Sequence, residues 1–276
     1  MALRNWVTNQ FDDLARASRR MIAPARLRKA QVRWMYPDGP DRLVSSPVFL
    51  FSPTRSGSTL LRSILNSHSQ ICAPHELHLN RLSVTTTKKF AARAMDELGM
   101  TTDDLENLLW DRVLHRQLIA SRKSIIVDKT PHNVIFWSRI AAAWPNARYL
   151  YLIRHPAAIA RSHAEARPHV SYDTHIGAVL KYAPHIDAAR EALPGPTVRY
   201  EELVTDPEQT TKEICSWLGV RWERSMLEYG KFSQGSYRRQ GIGDWSENIR
   251  SGEIKPLRPA PETPPELAHV ARAWGY

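Results

Sequence analysis

The sequence predicts an α/β fold: a central, mostly parallel sheet with helices on both faces. Three observations predict it. Short runs of apolar and β-forming residues alternate with longer segments of helical periodicity. The first run, Pro47-Val48-Phe49-Leu50-Phe51, is apolar throughout and reads as a buried strand. It breaks into a loop of small residues that leads directly into a helical pattern, the order of elements expected of a parallel sheet.

The other elements follow in order. Ser124-Ile125-Ile126-Val127-Asp128, Arg148-Tyr149-Leu150-Tyr151-Leu152-Ile153 and Pro196-Thr197-Val198-Arg199-Tyr200 read as further strands. Helical patterns lie between them, over about 88–98, 103–121, 133–144, 157–166, 175–192 and 207–218. Pro156 suits a first helical position. Residues 1–45 read as a basic helical extension, closed off by the turn Tyr36-Pro37-Asp38-Gly39-Pro40. Residues 46–276 read as a single domain whose tail, Lys255 to Pro265, is a proline-rich arm.

The 276 residues are ample for one sizeable core. Lys and Arg number 38 against 28 Asp and Glu, a formal net charge of +10. Such a surplus favours an anionic partner: nucleic acid, anionic lipid, or a small molecule bearing phosphate or sulfate. Two cysteines, Cys72 and Cys215, make neither a disulfide framework nor a zinc site. The N-terminal segment has no continuous apolar run, and no window approaches the ~18 apolar residues of a spanning helix. A cytoplasmic protein is the expectation.

The loop after the first strand, Ser52-Pro53-Thr54-Arg55-Ser56-Gly57-Ser58-Thr59, is a natural anion site. It opens a helix, whose first amides are unpaired and lie at the positive end of the dipole. Gly57 admits a close approach of the anion, Ser56, Ser58 and Thr59 add hydroxyls, and Arg55 adds charge. The loop is not that of an ATP- or GTP-hydrolysing enzyme. That motif requires Gly, four residues and then Gly-Lys-Ser/Thr, whereas here Ser52 and Ser58 stand where glycine and lysine belong.

These residues resemble a known family. Pro53 to Leu61 resembles the 5′-phosphosulfate loop of sulfotransferases that use 3′-phosphoadenosine-5′-phosphosulfate (PAPS). Ala147 to Pro156, with Ser162 beyond it, resembles their 3′-phosphate segment. Val198 to Leu203 resembles the strand whose tyrosine, here Tyr200, helps hold the nucleotide. Ile125 to Pro131 resembles the lysine-bearing segment of the tyrosylprotein branch, and Arg238-Arg239-Gln240-Gly241 to Trp245 the late glycine-rich segment of cytosolic members. Arg55 in place of Lys, Gln240 in place of Gly, and Arg154-His155-Pro156 place the chain nearer bacterial and tyrosylprotein-type members.

The resemblance implies a P-loop-kinase-like three-layer fold, no metal, and transfer of a sulfuryl group from PAPS to a hydroxyl, leaving 3′,5′-adenosine bisphosphate. It assigns the nucleotide to Arg55, Ser56, Gly57, Ser58, Thr59, Leu60, Arg154, Ser162, Tyr200, Arg238, Arg239 and Gln240. Arg154 would fork onto the 3′-phosphate. Glu76, at the position of a glutamate in the tyrosylprotein pattern, is the candidate base, kept ionised by nearby Arg55. Lys129 would contact the transferring sulfonate. His75 or His78 is the alternative base, and the His75-Glu76-Leu77-His78 spacing is one residue short of the zinc pattern.

The residues leave the acceptor open among a small molecule, lipid, glycan, carrier-bound chain and tyrosine. Residues 77–95, 166–185 and Tyr229 to Tyr237 are the expected acceptor-facing segments. Two other readings are a nucleotide-binding kinase, disfavoured by the loop, and a basic nucleic-acid-binding module. The latter lacks a basic stripe interleaved with aromatics, so nucleic acid is not an expected partner.

Overall fold

A computed structural model describes residues 41–232, 249 and 251–276. Five strands form the sheet: β1 (Val48–Phe51), β2 (Ile71–Cys72), β3 (Ile125–Asp128), β4 (Arg148–Ile153) and β5 (Thr197–Arg199). Their order is β2-β3-β1-β4-β5, and every pairing is parallel. Val48 lies opposite both Val127 and Arg148, which sets the register of the three central strands.

Side-chain alternation along these strands builds two cores. Phe49, Phe51, Tyr149, Tyr151 and Ile153 face one; Val48, Leu50, Val127, Leu150 and Leu152 face the other. That is why the strands read as continuous apolar runs: both faces are covered. The second core is closed by α1 (Ser58–Asn66), through Leu61, Ile64 and Leu65. Helices α7 (Tyr200–Thr205) and α8 (Pro207–Leu218) complete that layer.

The opposite face is covered by α3 (Thr102–Ser121), α4 (Trp137–Ala143), α5 (Pro156–Ala166) and α6 (Tyr172–Ala192). Helix α2 (Lys89–Glu97) buries no residue, and α9 (Ala268–Ala273) docks Val270 beside the buried Trp274 and Leu267. Residues Arg42 to Tyr276 form one unit.

The fold is therefore the expected α/β architecture with its parallel sheet. Two details differ from the sequence reading. Strand β2 has two residues, too few to show a period. The helix expected from 133 is a 3-10 turn, Pro131–Phe136, followed by α4. Buried Asp128 accepts hydrogen bonds from Thr130 Oγ1 at 3.1 Å and Asn133 Nδ2 at 2.8 Å, which tightens the chain there. The 1–45 extension lies almost wholly outside the described residues, as do Arg238, Arg239 and Gln240.

This topology locates a crevice. From β1 the chain turns to α1 on one face and toward β2; from β4 it turns to α5 on the other face and toward β5. Loops that diverge like this open a gap beyond the carboxyl ends of the adjacent strands β1 and β4, where ligands of such sheets bind. The small-residue loop and the Arg154-His155 turn flank that gap.

Candidate active site

The loop after β1 is locally shaped by its own residues. Ser56 Oγ donates to the Pro53 carbonyl at 2.7 Å, and Thr54 Oγ1 lies 2.9 Å from His163 Nε2 on α5. Arg55 has a left-handed backbone (φ 67°), a strained conformation for a non-glycine residue. Gly57 caps α1 at φ 91°. A Cβ there would stand 2.2 Å from Tyr200 Cδ2, so a glycine is required both by the backbone and by the ring against it.

The loop and the turn after β4 are in direct contact. Arg154 Nη1 donates to the Arg55 carbonyl at 3.1 Å, and Arg55 Nε donates to Ser162 Oγ at 3.3 Å. The Arg154 guanidinium also sits 4.2 Å from the centre of the Tyr200 ring, a cation–π contact. Four residues expected to share a nucleotide, from three separate segments, thus touch one another. Burial lowers the pKa of both arginines, as does Arg167 for Arg55. An anion bound there would relieve that cost.

Several buried nitrogens around Arg154 have no hydrogen-bond partner among the described residues: Arg154 Nε itself, His155 Nδ1 and Arg161 Nη2. A cleft of about 220 Å³ opens beside them, lined by Arg154, His155, Glu201, Arg258, Pro259 and Tyr276 among others. The C-terminal residue forms its wall. Tyr276 donates its hydroxyl to Glu201 Oε2 at 2.7 Å, meets the His155 ring edge-on at 5.0 Å, and lies under the Arg199 guanidinium at 4.5 Å. Arg161, Arg258 and Tyr276 were absent from the sequence reading. No motif marks them, because they come together only through the fold.

At the other side of the loop, α1 leads to a second group. Lys129, just past β3 and fully buried, donates to Glu76 Oε1 at 2.7 Å and reaches Thr59 Oγ1 at 3.5 Å. His78 Nε2 stands 3.4 Å from Glu76 Oε2. The cation against Glu76 is therefore Lys129, not the expected Arg55; the carboxylate and Arg55 flank different parts of the loop. Arg62, buried on α1, donates to the Ala73 carbonyl at 3.1 Å and so holds the strand end that presents Pro74 to Glu76. His75 is half-buried in that segment. Burial raises the Asp128 pKa to about 6, against the opposing pull of Asn133 and Thr130. Leu60 is buried in the core beneath the loop, so its share in any ligand contact is through its backbone.

A parallel sheet with a glycine-capped loop between its first strand and helix is an α/β fold of the P-loop-kinase-like kind. The family model described as "Sulfotransferase family" matches residues 47–224, and the chain belongs to that family. It is similar to the sulfotransferase domain from the curacin biosynthetic pathway, with a TM-score of 0.62 and 22% identity, covering 86% of this chain and 99% of that one. A protein of Aquifex aeolicus is 27% identical over 211 residues, 67% of this chain and 27% of its own length. Protein-tyrosine sulfotransferase 1 of Danio rerio is 22% identical over 203 residues, 66% of this chain and 55% of its own. The chain thus spans about a quarter and about half of these two relatives. Among the described residues no helix is long and apolar enough to cross a membrane.

Proposed function

We propose that this chain transfers the sulfuryl group of PAPS to an acceptor hydroxyl by in-line displacement, with Glu76 as general base. One observation carries the reading. A continuous chain of contacts runs from Arg154, whose buried Nε has no partner among the described residues, through Arg55 and the loop to Thr59, Lys129 and Glu76. It links an anion cradle to a paired carboxylate.

The residues fit the two ends of such a donor. Arg154, Arg161 and His155 have buried N–H or ring nitrogen atoms awaiting a partner, and Ser162 adds a hydroxyl, a donor set suited to the 3′-phosphate. The Tyr200 ring, packed on Gly57 and Arg154, offers an apolar wall for the nucleoside. The amides of Ser56 to Thr59 and the Arg55 guanidinium suit the phosphosulfate, since fixed donors directed at developing charge lower the barrier. Arg238, Arg239 and Gln240 retain their proposed place at the nucleotide by resemblance.

In the transfer, the acceptor oxygen bonds to sulfur as the bond between sulfur and the bridging oxygen breaks. The acceptor proton passes to Glu76, and the electron pair leaves with the bisphosphate. Lys129 has two tasks that its position supports. Its ammonium pairs with the Glu76 carboxylate at 2.7 Å and so orients it, and it neutralises the oxygens of the moving group beside Thr59. His75 remains the alternative base in this segment, while His78 is placed to orient Glu76.

The direct test is ligand-selective stabilisation followed by turnover. The melting temperature is expected to rise with 3′,5′-adenosine bisphosphate and to rise much less with 5′-AMP or Mg-ATP. Labelled PAPS should then yield a sulfated product from a hydroxyl acceptor. Equal shifts for the bisphosphate and 5′-AMP would defeat the 3′-phosphate assignment.

A further inference from the structure

Beyond Glu76 lies a group of basic side chains that the nucleotide does not use. They come from three segments: His78 and Arg81 in and before the 3-10 turn Leu79–Arg81, His132 in the turn Pro131–Phe136, and Lys181 and His185 on α6. Arg81 Nη2 is 3.2 Å from His132 Nε2, and His78 is in contact with Glu76. Lys181 and His185 are four residues apart and share one helix face. The groups that bear electrostatically on His132 are Arg81, Lys181, His78 and His185, of which Arg81 and Lys181 are cations. Arg81 bears in turn on Lys181, and both Arg81 and Glu76 on Tyr182. These residues therefore form one cluster adjoining the candidate base.

Among the described residues the one carboxylate in contact with the cluster is Glu76, which meets it at His78 and is already engaged by Lys129. Neither Arg81 nor Lys181 has a carboxylate partner among the described residues, and both are exposed to an incoming ligand. Burial, helped by these cations, pushes the His132 pKa down to about 4, so the ring stays neutral near pH 7. Like charges gathered without a counter-ion repel one another, and a bound anion would remove that repulsion. The nucleotide's own anions have a separate cradle at Arg55, Arg154 and Arg161.

We propose that Arg81 and Lys181, with His132 and His185 beside them, bind an anionic group carried by the acceptor itself. The acceptor is then a hydroxyl-bearing carboxylate or phosphate rather than a neutral alcohol. This inference rests on the reading of Glu76 as the base, since Glu76 marks where the acceptor hydroxyl lies.

The test uses matched acceptor pairs with labelled PAPS: 3-(4-hydroxyphenyl)propanoate and its methyl ester, 3-hydroxydecanoate and its methyl ester, and glycerol 3-phosphate and glycerol. In at least one pair the anionic member should be sulfated with a kcat/KM about tenfold or more above its neutral twin, the scale of one charge-assisted contact. Which pairs respond separates a carboxylate acceptor from a phosphate one. The double variant Arg81→Gln/Lys181→Gln should bring that ratio near one, while Lys181→Arg keeps it. Bisphosphate affinity should be the same in all forms. Neutral twins sulfated as well as the acids, a double variant that keeps the preference, or no anionic member accepted by protein that binds the bisphosphate would each overturn the proposal. Failure of the wild-type protein to bind the bisphosphate would instead sink the nucleotide reading and take this inference with it.

Discussion

At the scale of single residues, the proposed mechanism separates binding from chemistry. Among the described residues Glu76 touches Lys129 and His78, and it meets the proposed nucleotide cradle only through Lys129. Glu76→Gln should therefore lower kcat by about 10²–10⁴-fold, the usual share of a general base, with bisphosphate affinity by calorimetry nearly unchanged. Arg154 is the reverse case. Its buried, unpartnered Nε and its place at the cleft predict that Arg154→Ala raises the Kd for the bisphosphate about tenfold or more, with 5′-AMP affected far less. A loss shared equally by both nucleotides would remove Arg154 from the 3′-phosphate. Glu76, Lys129 and Arg154 were all legible as single residues in the sequence. Their partners were not: Arg55 was expected beside Glu76, and Lys129 stands there.

At the scale of elements, two local devices carry consequences that can be measured. Gly57 must hold φ 91° against the Tyr200 ring, so Gly57→Ala has no unstrained solution. The variant should bind the bisphosphate at least about tenfold more weakly, because both the loop and the ring must move. Beneath the same loop, His163 lies buried against Thr54, and burial with the nearby Arg55 lowers its pKa to about 4. In the unfolded chain it titrates near 6.5. Below that value the unfolded state gains a proton that the folded state refuses until about pH 4, so stability falls as pH drops through this window. The loss from this one group is roughly 3 kcal/mol at most. His163→Gln should flatten the fall in melting temperature between pH 6.5 and 4, and an unchanged slope would show that His163 titrates normally. Most elements were visible as patterns, since apolar runs and helical periodicity are local properties. Strand β2, with two residues, and the six-residue α9 carry too little pattern to announce themselves, whereas α7 is announced by the acidic Glu201 and Glu202 of its first turn.

At the scale of the whole molecule, the far end of the chain returns to the site. Tyr276 reaches Glu201 and His155, Arg199 donates to the Trp274 carbonyl at 2.7 Å, and Trp274 donates to Asp187 Oδ1 on α6 at 2.8 Å. The C-terminal segment thus ties the β5 edge to the helical layer and walls the cleft beside Arg154. Removing residues 268–276 should lower the melting temperature, since it strips Val270 and Trp274 from the core, and should also weaken bisphosphate binding. The single substitution Tyr276→Phe separates the two effects. It keeps the ring but leaves Glu201 Oε2 without its donor, which should cost about 1 kcal/mol or more of stability. A truncated protein with full stability and affinity would show that the arm does neither task.

The amino-acid order by itself determined the α/β class, the glycine-bearing loop of hydroxyl residues at its first strand–helix junction, and the residue types on which the proposed sulfuryl transfer draws. Each of these is written in neighbouring positions, where periodicity, a glycine cap and a run of donors lie within one turn of chain. Only the tertiary structure decided which segments meet. The parallel order β2-β3-β1-β4-β5 brings Arg55 to Arg154 and Ser162, Gly57 to Tyr200, Lys129 to Glu76, and Arg81 to His132 across sequence gaps of tens of residues. Such contacts follow from strand register and burial of two apolar faces, which are properties of the packed sheet and of no single stretch within it.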